Sequence, residues 1–270
     1  MKKSFIPITF AFAIGLIPCV SQTVQESAKK QQIENEKGGQ TRPEPTPKQE
    51  KEIRSLISQL VLVDRPVTEE LLPAPGLNTD DEEYGKRYNA CHKAFKRLME
   101  FKELSLPFLV EHLEDKRQSI PFRNHHMGFS VGDACYWNIY YQLQDQPDDY
   151  SSYGYQRRGR DGENHPKPYW ATKGCCFDEV GGAKEWLEIN KHLSYVEMRI
   201  KCLSWLLEKE RAIGASDVES YYENIAPLEV RILERRLEKG EKVETELKQA
   251  RANLKKKDPA AVPPGLLPAK

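Results

Sequence analysis

The chain has no stretch in which Val, Ile, Thr and aromatic residues alternate for long enough to build a sheet, and no Asn-Gly or Asp-Gly turn joins two such stretches. That absence argues against sandwich and barrel folds. There is also no surplus of either charge. Among 270 residues, 41 basic side chains face 41 acidic ones, and setting aside Lys2 and Lys3 leaves an excess of only two acids. A chain so balanced has no global field with which to draw in nucleic acid or an anionic membrane, so nucleic acid is not an expected partner. The motifs G-x-S-x-G and H-E-x-x-H and a phosphate-binding glycine loop are all missing, and no catalytic residue is assigned on motif grounds. Zinc sites are usually built from ligand pairs at short, fixed spacing, and no C-x-x-C pair occurs. Adjacent Cys175 and Cys176 would need His125, His126 or His165 from distant loops, so no metal and no cofactor is expected.

What is present begins at the amino terminus. Lys2 and Lys3 precede an almost uncharged apolar run, Phe5 to Val20, closed by Pro18, Cys19 and Ser21. A basic start, an apolar centre and a small-residue end are the grammar of an export signal, so residues 1–21 are read as a signal peptide. The mature chain is then extracytoplasmic, periplasmic or secreted. The run has 16 residues, and a membrane span needs about 20. Cys19 opens a second form of export, as the lipid-bearing first residue of a lipoprotein, and membrane attachment is expected only in that form.

Residues 22–52 hold only Val24, Ala28 and Ile33 as aliphatics, among Gln, Glu, Lys and the series Pro43, Pro45, Pro47. They bury too little to offset ordering entropy and read as a disordered spacer. Residues 258–270, with Pro259, Pro263, Pro264 and Pro268, read as a frayed tail. Between them, residues 53–257 suffice for one domain with one core.

Apolar residues in that domain recur with the helical period. Ile53, Leu56, Ile57, Leu60 and Val61 make one amphipathic stripe, and Tyr84, Tyr88, Cys91, Phe95 and Leu98 a second. A third helix carries Leu106, Leu109, Val110 and Leu113, with Ser105 as its cap and Pro107 in its first turn. Val131, Cys135, Ile139 and Leu143 mark a fourth, and Trp186, Leu187 and Ile189 a short fifth. Ser194 and Glu197 form a capping box that opens the clearest helix. Tyr195, Met198, Cys202 and Trp205 line one of its sides and Val196, Ile200, Leu203 and Leu207 another, so it is expected to be covered twice. Gly214 stops it, Ser216 with Glu219 repeats the box, and Pro227 starts a further helix. After Gly240, the set Val243, Leu247, Ala250 and Leu254 predicts a solvated helix or antiparallel pair. The fold class is mainly α: helical hairpins interrupted by long irregular loops.

Ala94 to Asp115, AFKRLMEFKELSLPFLVEHLED, resembles the end of one HEAT-like helical repeat and the second helix of the next. The matching positions are Leu98, Leu106, Pro107, Leu109, Leu113 and Asp115. Val131-Gly132-Asp133-Ala134-Cys135 is similar to the V-R-x-A-A that follows in that family. Here Gly132 stands where Arg is usual, and residues 116–129 are longer than the family's turn. The resemblance covers about residues 94–143. It implies HEAT-like packing of helical hairpins and, with it, a binding or scaffold role.

Two loop regions hold the residues that could carry function. Gln144 to Lys173 combines Tyr153, Tyr155, Arg157, Arg158 and Trp170, residue types that make strong binding anchors because they pair large contact area with a polar handle. These five are the candidate binding residues for a protein or polymer partner, although some of the aromatics could instead pack the loop onto the helices. The rival reading is a hydrolase drawing on His125, His126, His165, Asp133, Asp161 and Glu163, which requires a nucleophile, a base and an orienting group to converge. Five cysteines follow Ser21, an odd number that leaves at least one unpaired within the chain; Cys91, Cys135 and Cys202 fall on apolar stripes, where a small buried thiol is the expected role.

Overall fold

A computed structural model describes residues 43–66, 82–120, 129–144 and 176–267. All of them fall within one compact unit, Thr41–Lys270. The chain is mainly helical, as its periodicity predicts. Helix α1 (Pro47–Ser58) leads into strand β1 (Val63–Pro66), and α2 (Glu82–Glu100) and α3 (Leu106–Glu111) precede β2 (Arg117–Ser119) and β3 (Phe129–Ser130). Then come α4 (Val131–Gln144), α5 (Ala183–Ile189), α6 (Tyr195–Ile213), α7 (Val218–Asn224), α8 (Ala226–Glu238) and α9 (Glu244–Lys256).

Burial divides the apolar side chains into two clusters. In the first, Ile53 and Ile57 of α1, Cys91 and Leu98 of α2, Leu106 and Leu109 of α3, and Val131, Cys135, Ile139 and Leu143 of α4 are all within 1% of full burial. The second holds Leu203, Leu206 and Leu207 of α6 with Tyr221, Tyr222, Ile225, Ala226 and Leu228. Helix α6 serves both: Met198 and Cys202 belong to the first cluster, Leu203 and Leu207 to the second, and Trp205 packs against each. Its capping box forms as its sequence predicts, with Glu197 N donating to Ser194 Oγ (3.4 Å) and Ser194 N donating to Glu197 Oε2 (2.9 Å). Two of the other caps differ from expectation. Ser105 makes no side-chain cap; its buried hydroxyl donates to Lys102 O (2.9 Å) and accepts from Gln142 Nε2 (3.0 Å), because it faces α4. At α7 the cap is Asp217, whose Oδ1 accepts from Ser220 N (2.7 Å), while Glu219 pairs with Lys257.

Three further features depart from the sequence reading. A small antiparallel sheet, β1–β2–β3, joins segments that showed no alternation: Val63 pairs with Gln118, Gln118 with Ser130, and Ser119 with Phe129. Its strands are two to four residues long, shorter than any period-2 pattern can register. Helix α1 starts at Pro47, inside the stretch read as a spacer, on a second capping box: Gln49 N donates to Thr46 Oγ1 and Thr46 N donates to Gln49 Oε1. Residues 258–267, read as tail, pack on the second cluster. Leu266 and Leu267 lie against it, Ala215 N donates to Leu266 O (2.9 Å), and Tyr222 Oη donates to Asp258 O (2.6 Å).

Gly132, where the HEAT-like motif usually has Arg, sits against the turn that follows α3. Its N–H donates to Asp115 O (2.9 Å), and a Cβ there would fall 2.2 Å from Leu113 O. The start of α4 is held in that approach by Ser130 and Asp133: Asp133 N donates to Ser130 Oγ (3.0 Å), and Ser130 N donates to Asp133 Oδ2 (2.9 Å).

Candidate cleft between the carboxy-terminal helices

The second cluster is not filled to its surface. A cleft of about 360 Å³ opens between α6, α7, α8 and α9, within the size range of small-ligand sites. Its position follows from local sequence. Gly214 ends α6 with φ 76°, a conformation that side chains with a Cβ disfavour, and turns the chain into α7. Pro227 fits the first turn of α8 because its missing N–H had no helical partner there. Helix α9 returns along α8, tied by Arg251–Glu234 (2.6 Å), and the 3-10 turn Pro259–Ala261 closes one wall.

The walls are mostly apolar, with Leu207, Ala226, Ile232 and Leu233 from α6 and α8 facing Ala250 and Pro263. One polar group of three interrupts them. Glu229 accepts from Arg211 Nη2 at Oε1 (2.8 Å) and from Tyr221 Oη at Oε2 (2.7 Å). Burial, and then the bond to Glu229, hold the Tyr221 hydroxyl protonated far above its ordinary range. Tyr221 is therefore a hydrogen-bond donor to Glu229. The Arg211 side chain keeps 48% of its surface exposed at the rim, whereas Glu229 keeps 21%. Asn253, whose Oδ1 accepts from Gln249, and Tyr222, whose hydroxyl donates to Asp258 O, complete the polar lining.

Most residues singled out in the sequence are placed elsewhere or lie beyond description. Tyr153, Tyr155, Arg157, Arg158 and Trp170 lie outside the described residues, as do His125, His126, His165, Asp161 and Glu163. Asp133 is described, and its Oδ2 accepts from both the backbone and the hydroxyl of Ser130. Cys91 and Cys135 are core thiols whose burial pushes them up to about 11 and about 12. Tyr140 is buried in the first cluster, and Tyr136, Trp137 and Tyr141 pack partly buried against it. Among the described residues no three His, Cys, Asp or Glu side chains gather as a metal cradle, and no helix is long and apolar enough to cross a membrane. Arg211, Tyr221 and Glu229 escaped the sequence reading. Their only signal was two adjacent tyrosines on a short capped segment, eight and seven residues before a glutamate.

These elements define a mainly helical domain with an amphipathic cleft at its carboxy-terminal end. No protein-family model matches the chain, and no curated protein or solved structure matches it.

Proposed function

We propose that the chain is an exported binding module whose cleft receives a ligand with an apolar body and an acidic end. The observation that carries this reading is the pairing of apolar walls with Arg211 at the rim. Glu229 is engaged on both oxygens, while Arg211 gives it one N–H and, as a guanidinium, has further donors. A carboxylate bound there would form charge-assisted hydrogen bonds, and its apolar body would lie on Leu207, Ile232 and Leu233. Thermal shift with phenylacetate and N-acetylphenylalanine, each against its amide, tests this. The acids should raise the melting temperature more than the amides, and Arg211→Ala should remove the difference. Equal shifts for acids and amides would reject the ligand class, and no shift with any of them would reject the cleft as a site for such molecules.

Two parts of the reading rest on sequence. Export rests on Lys2, Lys3 and the run from Phe5 to Val20. After expression in a bacterial host, amino-terminal sequencing should find residues 1–21 removed; a product in the cytosolic fraction still beginning at Met1 would reject export. The HEAT-like likeness over residues 94–143 contributes only a mode of hairpin packing for α2, α3 and α4. The hydrolase alternative has less support, because Asp133, the one member of its cluster among the described residues, is occupied in capping α4.

A further inference from the structure

Cys176 and Cys202 are 26 positions apart in sequence, yet their Sγ atoms lie 3.3 Å from one another in the buried first cluster. That separation is inside the roughly 3.5–4.0 Å of ordinary packing contacts. Cys202 projects from the middle of α6 and is fully buried; Cys176 stands in the turn before Asp178–Val180 and is 5% exposed. Both ends are held. Phe177, next to Cys176, is fully buried between Trp186 (ring centroids 5.3 Å) and Tyr136 (6.1 Å), and its carbonyl accepts from Val180 N and Gly182 N. Cys91 and Cys135 are core thiols too, and neither has such a sulfur neighbour among the described residues.

From this geometry we infer that Cys176 and Cys202 are a disulfide site, closed when the chain folds in a thiol-oxidising compartment. The two sulfurs need only close the remaining gap, with both side chains already facing each other. The oxidant is a low-molecular-weight or protein disulfide. The Cys176 thiolate attacks one of its sulfurs and expels a thiolate; the Cys202 thiolate then attacks Cys176 Sγ of the mixed disulfide and expels the second. Two protein thiols are oxidised, one external disulfide is reduced to two thiols, and the two protons go to the departing thiolates. Because both sulfurs are covered in the folded chain, exchange belongs to the folding stage, before α6 is packed. The bridge would fasten the carboxy-terminal end of the segment that bears Tyr153, Tyr155, Arg157, Arg158 and Trp170 to the central helix. The inference rests on the export reading for where the bridge forms, but not for which sulfurs form it.

The test refolds the full-length chain from denaturant in excess glutathione disulfide, alkylates remaining thiols and maps tryptic peptides. Gly174–Lys184 should be found joined to Cys202–Lys209, with the linked mass lower by two hydrogens than the sum of the thiol peptides. Cys175→Ser should retain the link and Cys176→Ser should lose it, with circular dichroism checking that both variants fold. The bridged chain should melt several degrees above its reduced form, since the bond removes freedom from the unfolded chain. A folded chain in which Cys176 and Cys202 both remain alkylatable after denaturation, or a link that persists in Cys176→Ser through Cys175, would overturn the assignment. A link that forms in glutathione disulfide while the cellular product keeps Met1 would uphold the cysteine pair and count against export alone.

Discussion

Gly132 and Leu113 meet so closely that a single methyl on Gly132 would lie 2.2 Å from the Leu113 carbonyl oxygen. Neither side can yield readily, since one is the first turn of α4 and the other the turn just after α3, joined by the Gly132 N–H to Asp115 O bond. Gly132→Ala should therefore cost about 3 kcal/mol or more, at or beyond the upper end for overpacking, because the obstacle is backbone. Urea denaturation measures it. A loss below about 1 kcal/mol would mean that the two helices can separate without penalty.

Leu203 of α6 is fully buried, and Ser194 opens that helix from a partly exposed position. Leu203→Ala should cost about 2–5 kcal/mol through lost transfer energy and a cavity. Ser194→Ala should cost about 1 kcal/mol through the lost cap. Equal denaturant midpoints for the two variants would contradict the central place of α6.

The same cap gives a dependence on pH. The Ser194 hydroxyl and backbone N–H, and then Lys239, lower the Glu197 carboxyl from 4.5 to about 2. A carboxyl lowered on folding adds stability that is fully present above its unfolded value and is lost as pH falls through the folded one. Stability should thus decline between roughly pH 4.5 and 2, and Glu197→Gln should flatten that part of the profile. Identical acid limbs for the two proteins in thermal melts would refute it.

Gln144, the last residue of α4, is 1% exposed, and both ends of its amide lack a hydrogen-bond partner among the described residues. An unmade buried bond costs about 1–3 kcal/mol, and an apolar group of similar shape avoids it. Gln144→Met should raise stability by about 1 kcal/mol. A loss of similar size in calorimetry would show that the amide is engaged.

The Tyr- and Arg-rich segment makes its own demand. If the segment is a binding surface, replacing Tyr153, Tyr155 and Arg158 with Ala should leave the melting temperature nearly unchanged while abolishing capture of whatever co-purifies, because side chains that serve association contribute little to folding. A stability loss of several kcal/mol, as for buried aromatics, would make the segment structural.

Sequence reading reached as far as local rules extend. Period 3.6 located α2, α4, one face of α6 and, through Leu203 and Leu207, the later half of its second face, where Val196 and Ile200 stay half-buried; the Ser-x-x-Glu spacing identified the cap at Ser194, because those signals are contained within one helix. Leu206 falls between the two stripes assigned to α6 yet is buried, since the second cluster wraps further around that helix than either stripe. Contacts between distant segments left no local trace. The meeting of Val63 with Gln118, the seating of Leu266 beside Ala215, and the Arg211–Glu229–Tyr221 group all depend on how helices cross. Gly132 shows the limit most plainly: as a letter it is a mismatch to a motif, and its reason is a carbonyl 19 residues earlier.

Because a single helix contributes side chains to both apolar clusters, neither half of the domain has a private boundary at which to melt. Opening the carboxy-terminal helices would strip Leu203 and Leu207 of their cover, and unwinding α6 to relieve that exposure would pull Met198 and Cys202 out of the other cluster. Amide protons along α6 should therefore exchange only through global unfolding, the slowest in the chain, and report one cooperative unit.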